Sequence, residues 1–259
     1  MEINNYKTIC ISDTHLGSKD AQAKILNNFL KFNNSDNIYL VGDIIDGWKI
    51  RQNKWKWKNT HSDVVRTLLK KAKEGKNLYW ALGNHDEFLR PMLNHKLHLG
   101  KNIFIDNEFV YQDIKGKKWL VVHGDFFDGI TKLAPRLTWL GDKAYDIVLS
   151  LNTKLNWLFH RLGLRYFSLS AFLKKKVKKA VDFMFQFEKN MVAYVKKRQL
   201  DGVICGHIHN AEIKDIDGIT YMNDGDWVES CTALVETLDG EWKIVTWTKE
   251  HEKNISSNG

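Results

Sequence analysis

Prolines and cysteines are scarce: the 259 residues hold two of the first and three of the second. With so few prolines and no glycine- or serine-rich tract, nothing marks a linker that would divide the chain. Cys10, Cys205 and Cys231 are odd in number and widely spaced. That excludes a disulfide framework and a thiolate zinc site, and leaves reduced, buried thiols. No stretch approaches the roughly 18 uncharged apolar residues of a membrane span, so an integral membrane protein is excluded. The opening Met1-Glu2-Ile3-Asn4-Asn5-Tyr6-Lys7 lacks the basic segment and apolar run of a secretory leader, and a cytoplasmic address is expected. Internal repeats and low-complexity tracts are also missing. What remains is a chain that is 43% hydrophobic, enough to bury a sizeable core.

The net charge of +8 is unevenly spread. Between Ile130 and Leu200 there are 15 Lys and Arg against four Asp and Glu, so this segment carries more than the whole excess. An anionic partner such as nucleic acid, an anionic membrane or a phosphorylated substrate would meet the protein there.

Short apolar runs at Thr8-Ile9-Cys10-Ile11, Ile38-Tyr39-Leu40-Val41, Leu78-Tyr79-Trp80-Ala81-Leu82 and Trp119-Leu120-Val121-Val122 read as buried strands. Between them, Ile25, Leu26, Phe29 and Leu30, then Val64, Val65, Leu68, Leu69 and Ala72, recur at helical spacing. Strand–helix alternation predicts an α/β sheet. Residues 130–200 show helical periodicity without strands and read as a helical insertion. Beyond it, Gly202-Val203-Ile204-Cys205, Ile219–Met222, Thr232–Val235 and Trp242–Val245 predict short strands with turns at Asp217-Gly218 and Asp239-Gly240.

Polar clusters follow the predicted strands. They are Asp13-Thr14-His15, Gly42-Asp43-Ile44-Ile45-Asp46, Gly83-Asn84-His85-Asp86, His123-Gly124-Asp125 and Gly206-His207-Ile208-His209. The carboxyl ends of strands in an open α/β sheet face one crevice, so these clusters are expected to converge there. Two-residue spacing, in Asp13 with His15 and in His207 with His209, points both side chains the same way if the backbone is extended. Carboxylate, imidazole and carboxamide without thiolate suit manganese, iron or zinc in a working site rather than a structural zinc cage. His61, His95, His98, His160 and His251 stand outside these clusters, with structural or solvated roles expected.

The ordered set Asp13-x-His15, Gly42-Asp43-x-x-Asp46, Gly83-Asn84-His85-Asp86, His123 and Gly206-His207-x-His209 resembles the calcineurin-like binuclear metallophosphoesterases. That resemblance implies a four-layer αββα sandwich of α/β class, a single domain over 1–259 with a helical cap inserted at 130–200. It implies two divalent ions, manganese with iron or zinc as alternatives. One would take Asp13, His15, Asp43 and His209; the other would share Asp43 and take Asn84, His123 and His207, with a hydroxide as nucleophile. By the same resemblance His85 stabilises the transition state or protonates the leaving oxygen, Asp86 orients its ring, and Asp46 stands behind the ligands. Within the superfamily, Gly42-Asp43-Ile44-Ile45-Asp46-Gly47-Trp48, Val122-His123-Gly124-Asp125, the basic insertion and the late Gly225-Asp226-Trp227 are similar to the UDP-2,3-diacylglucosamine diphosphatases of lipid A synthesis. Better-known members of that family have Arg where this chain has His85.

The insertion sets Leu155, Trp157, Leu158, Phe159, Leu162, Tyr166, Phe167 and Phe172 beside Lys174-Lys175-Lys176-Val177-Lys178-Lys179. That mixture suits the headgroup boundary of an anionic membrane. Together with the resemblance to the UDP-2,3-diacylglucosamine diphosphatases, this implies a nucleotide-linked glycolipid substrate at the inner face of the cytoplasmic membrane, met by Lys174, Lys175, Lys178 and Trp48, with no nucleic acid and no protein partner expected. Solvated lysines on a packed cap are the plain alternative. Lys54-Trp55-Lys56-Trp57-Lys58 reads as an exposed loop. Other phosphodiesters, nucleic acid among them, and phosphomonoesters are the rival substrates of the same two-ion chemistry.

Overall fold

The computed structural model describes residues 3–93, 100–127 and 169–248, without the side chains of 169–180. Two compact units are present: Met1–Phe127 with Met191–Gly259, and Asp128–Asn190. In the second, the described part is helical and belongs to the helix Leu169–Lys197 (α5 below, which follows the short α4 at Arg90–Leu93). The remainder of the insertion expected at 130–200, including Leu155 to Phe167, lies outside the described residues.

The first unit is a mixed α/β structure with two sheets. One has six strands in the order β11-β10-β1-β2-β3-β4. These are β1 (Asn4–Ile11), β2 (Asn33–Val41), β3 (Asn77–Ala81), β4 (Ile103–Asp106), β10 (Thr232–Glu236) and β11 (Trp242–Thr246). The other has the order β5-β6-β7-β9-β8. Its members are β5 (Glu108–Gln112), β6 (Lys118–Val122), β7 (Gly202–Cys205), β8 (Glu212–Ile216) and β9 (Ile219–Asn223). Strands β1 to β4 run parallel, as do β6, β7 and β9, while each sheet carries antiparallel strands toward its edges.

Alternation along the strands explains the sandwich. In β1 and β2, Ile9, Ile11, Ile38 and Leu40 join one core with Leu26, Phe29 and Leu30 of α1 (Ala23–Phe32) and Val64 and Leu68 of α3 (Asn59–Lys73). The intervening Cys10, Tyr39 and Val41 point the other way, into a second core with Trp119 and Val121 of β6, Ile204 of β7 and Met222 of β9. Both faces of the first sheet are therefore covered, so the second halves of its central strands β1 and β2 are apolar at successive positions rather than at alternate ones. The three cysteines are buried thiols, as expected.

All eight expected strands form. Three further strands, β4, β5 and β8, were not anticipated. Each lies at a sheet edge and mixes exposed with half-buried positions, Tyr111 of β5 being the one buried side chain among them. A strand covered on one face has no continuous apolar run to betray it.

Phe29 is fully buried, 5.1 Å from Trp227 and 5.6 Å from Trp247 between ring centroids. Phe29→Ala should lower stability by about 3–5 kcal/mol in urea denaturation. Leu238→Ala, at a residue 64% exposed, should stay within about 0.5 kcal/mol of the parent.

Candidate metal centre

The polar clusters meet because two sheets, rather than one, deliver them. Asp13, Asp43 and Asn84 follow β1, β2 and β3 of the first sheet, whereas His123 and His207 follow β6 and β7 of the second. Beyond the strand ends the first two loops continue to pair: Asp13 N donates to Gly42 O, His15 N to Asp43 O and Leu16 N to Ile44 O, at 2.9–3.0 Å. Trp227 N donates to Asp13 O at 3.1 Å, so the Gly225-Asp226-Trp227 turn supports the Asp13 loop from below.

The backbone there is not extended. Asp13, His15, Asp43, His207 and His209 have φ of 49°, 44°, 54°, 70° and 54°, all in the left-handed region. This region costs a residue with a Cβ about 1–2 kcal/mol, and such residues persist only where the surroundings impose them. The expected convergence of Asp13 with His15 and of His207 with His209 is thus achieved by left-handed turns, not by the period of a strand. Gly83 is needed by close approach: a Cβ there would overlap the Asp43 carboxylate and ring atoms of His123.

Three groups of ligating atoms gather: Asp13 with His15 and His209; His15 with Asp43 and His85; and Asp43 with His123 and His207, each within 4.8 Å. Asp43 belongs to two of them. Its Oδ2 lies 3.3 Å from His123 Nε2, 3.8 Å from His85 Nε2 and 3.9 Å from His15 Nε2, while Oδ1 accepts from His85 N at 2.7 Å. His209 Nε2 is 3.0 Å from Asp13 Oδ1, and His207 Nδ1 is 3.2 Å from His123 Nε2. His123 Nδ1 donates to Val41 O at 2.8 Å, which leaves Nε2 as the lone-pair side facing the cluster, the usual support of a ligating imidazole. Asn84 Oδ1 is buried with no hydrogen-bond donor among the described residues. A carbonyl oxygen placed so is costly unless something electropositive meets it. The donor set therefore fits divalent cations: anionic and neutral oxygen with imidazole, and an oxygen otherwise unsatisfied.

The residues' own electrostatics agree. Burial alone would push the Asp13 carboxyl up, yet the imidazoles of His209, His123 and His15 outweigh it and hold it well below the ordinary range. Asp43 is likewise lowered, burial being overcome by His123, His15 and His85. Burial opposes protonation of His209, but Asp13 beside it raises the ring to about 9. His123 is raised well above its ordinary value against burial by Asp43 and Asp13.

The structure corrects one expected role. Asp86 does not orient His85. Its carboxylate accepts from the amides of Ile44 and Ile45 at 3.1 and 2.9 Å and from Trp80 Nε1 at 3.3 Å, and burial with the nearby Asp43 charge pushes it up to about 7. Asp86 thus fixes the backbone of the Asp43 loop. The partner of His85 is Asp46, whose Oδ1 lies 2.8 Å from His85 Nδ1 and also caps α2 (Gly47–Arg51) at Lys49 N. Trp48, expected at the substrate, stacks on the His85 ring with centroids 4.0 Å apart. Adjacency along the chain suggested Asp86; no spacing in the sequence singles out Asp46 instead. Lys174, Lys175 and Lys178 fall within α5, their side chains outside the described residues. His61 accepts from Gly17 N at 3.0 Å and is structural; His95, His98, His160 and His251 lie outside the described residues. The Lys54–Lys58 segment is a loop with Trp55 and Trp57 stacked at 5.2 Å.

Residues 6–211 match the family model of calcineurin-like phosphoesterases. The chain belongs to that family, and is a phosphoester hydrolase of the metal-dependent kind. Similar solved structures include a single mutant of Vps29 from Entamoeba histolytica, 14% identical, with 93% of this chain and 99% of that chain covered at a TM-score of 0.43. An archaeal phosphodiesterase is also 14% identical, with 92% and 98% covered and a TM-score of 0.42. Phosphopantetheinyl hydrolase from Mycobacterium tuberculosis is 11% identical, with 87% and 91% covered and a TM-score of 0.40. No curated protein matches the chain. Among the described residues, no helix is long and apolar enough to cross a membrane.

Cation binding needs neutral imidazoles. With His209 at about 9, a cation entering at pH 7 must displace its proton, so affinity should rise with pH up to about 9 and fall as the site acidifies. Calorimetric titration with Mn²⁺ in buffers of different ionisation enthalpy should show proton release at pH 7 that fades toward pH 9. Binding without proton release at pH 7 would contradict this arrangement.

Proposed function

We propose that the chain hydrolyses the pyrophosphate bond of UDP-2,3-diacylglucosamine, giving UMP and 2,3-diacylglucosamine 1-phosphate, at the cytoplasmic face of an anionic membrane. The phosphoester chemistry is carried by one observation: the Asp43 carboxylate is shared by two groups of Asp and His ligands. Asp13, His15, Asp43 and His209 would hold one divalent ion, and Asp43, Asn84, His123 and His207 the other, manganese being the first choice and iron or zinc the alternatives. Two such ions supply charge neutralisation on non-bridging phosphoryl oxygens and make water a competent nucleophile.

The chain's own residues do the rest. Asp46 accepts from Nδ1 of His85 and sets the orientation of the ring, while Trp48 holds the ring plane from one side. His85 Nε2 then faces the cluster, where it donates to the oxygen on which charge develops as the P–O bond breaks. Gly83 and Asp86 keep the Asp43 loop in register, so that the acceptors do not have to reorganise during the reaction.

The choice of substrate rests on the likeness of Gly42–Trp48, Val122–Asp125 and Gly225–Trp227 to the UDP-2,3-diacylglucosamine diphosphatases, and on the apolar and basic insertion. Its lysines, Lys174, Lys175 and Lys178 among them, would meet substrate phosphates and the anionic headgroups. His85 in place of Arg favours a second reading, since an imidazole held by a carboxylate also serves esters with poorer leaving groups. On that reading the substrate is another phosphodiester, nucleic acid included, or a phosphomonoester.

The purified, Mn²⁺-loaded protein should release UMP from UDP-2,3-diacylglucosamine faster than it cleaves bis(p-nitrophenyl) phosphate or single-stranded DNA, and Asp43→Ala should abolish all three. Turnover of only the artificial diester or DNA would sink the lipid-linked substrate while keeping the hydrolase. His85→Ala should lower kcat about 10²- to 10³-fold. Its bound metal, measured by elemental analysis, should be unchanged; an emptied site would make His85 a ligand.

A further inference from the structure

Beneath the metal centre, the hydroxyl of Ser12 is crowded by acceptors. Its Oγ lies 2.6 Å from Asp13 Oδ2, 2.6 Å from Asp224 Oδ1 and 3.1 Å from Gly225 O. A serine hydroxyl has one proton and so donates once, yet all three neighbours accept when both carboxyl groups are ionised. Two oxygens at 2.6 Å from Oγ cannot both be bare lone pairs without a proton between each and the hydroxyl.

The surroundings decide where the additional proton sits. Asp13 is supplied on both oxygens: His207 N donates to Oδ2 at 2.8 Å and His209 Nε2 lies 3.0 Å from Oδ1. Asp224 is fully buried, and no donor among the described residues reaches its Oδ2. An ionised carboxylate with an unsatisfied oxygen in a dry interior is far costlier than a neutral acid there. A neutral acid there would donate to Ser12, and Ser12 would in turn donate its O–H to Asp13.

We propose that Asp224 is a positioning residue of the metal centre, a neutral acid that aims Asp13 at its cation through the hydroxyl of Ser12. The relay joins the two sheets, since Ser12 follows β1 and Asp224 follows β9. Its ends are fixed: Asp224 N donates to Cys205 O at 3.0 Å, and Thr232 Oγ1 to Asp224 O at 2.8 Å. Gly206 explains the space for it, because a Cβ at that position would overlap Ser12 Oγ and crowd Asp13 Oδ2. With the relay intact, Oδ2 of Asp13 is tied to Ser12 and His207 N, and Oδ1 is turned toward His15 and His209. As a neutral group, Asp224 adds no further anion under a cluster that already holds two carboxylates.

The inference rests on the reading of Asp13 as a cation ligand, and calorimetric titration with Mn²⁺ alone, without substrate, tests both separately. Ser12→Ala and Asp224→Ala should each weaken Mn²⁺ binding about 10- to 100-fold, the usual effect of removing a group that holds a ligand. Asp224→Asn should bind close to the parent, because its amide N–H still donates to Ser12. Above pH 8, where Asp86 is ionised, the infrared spectrum should contain a protonated-carboxyl C=O stretch that is absent in Asp224→Asn. Ser12→Ala removes a single oxygen and guards against misfolding of the Asp224 variants, which circular dichroism would reveal. If the parent binds Mn²⁺ and Ser12→Ala binds it equally well, the relay is overturned while the metal centre stands. If Asp224→Asn is as weak as Asp224→Ala, or the acid stretch is missing from the parent, the neutral-donor role is overturned. If the parent binds no Mn²⁺, the reading of Asp13 as a ligand falls and the inference with it.

Discussion

Everything in the centre is arranged around the Asp43 carboxylate. A buried anion is costly unless its charge is met, and here three imidazoles face one of its oxygens while a backbone amide holds the other. Because imidazoles approach from loops of both sheets, a single carboxylate ties the two halves of the sandwich together at their common edge. The same sharing is what lets one side chain serve two cations.

That arrangement has a conformational cost, and the fold carries it locally. Five of the seven residues that would hold the ions sit in left-handed backbone. They are aspartates and histidines, which tolerate that region better than β-branched or bulky residues do. Pairing between the Asp13 and Asp43 loops beyond the ends of their strands, the Trp227 amide beneath Asp13 and the Asp86 carboxylate beneath Ile44 and Ile45 impose it. Function is thus supported by residues that never face a substrate. The late Gly225-Asp226-Trp227 turn is one: Trp227 is buried against Phe29, and its amide, not its ring, serves the site.

Much of this was legible in the sequence, for identifiable reasons. Central strands buried on two faces write continuous apolar runs, and Ile38–Val41 or Trp119–Val122 could be read at once. Edge strands such as Ile103–Asp106 and Glu212–Ile216 write only a faint alternation and were missed. The polar clusters were legible because each follows such a run, although strand–helix alternation alone pointed to one open sheet and only the family resemblance implied the two stacked sheets that form. Relations across space were not legible. Asp86 neighbours His85 in the chain but turns back to the Ile44 and Ile45 amides, while Asp46, 39 positions away, takes the ring. Ser12 and Asp224, 212 positions apart, carry no spacing that would pair them.

The central claim is that one carboxylate joins two cations, and electron paramagnetic resonance of the Mn²⁺-saturated protein tests it most directly. The account predicts two manganese ions per chain with a spin-coupled spectrum, and loss of the coupling in Asp43→Ala. A single ion per chain, or two that remain uncoupled in the parent protein, would contradict it.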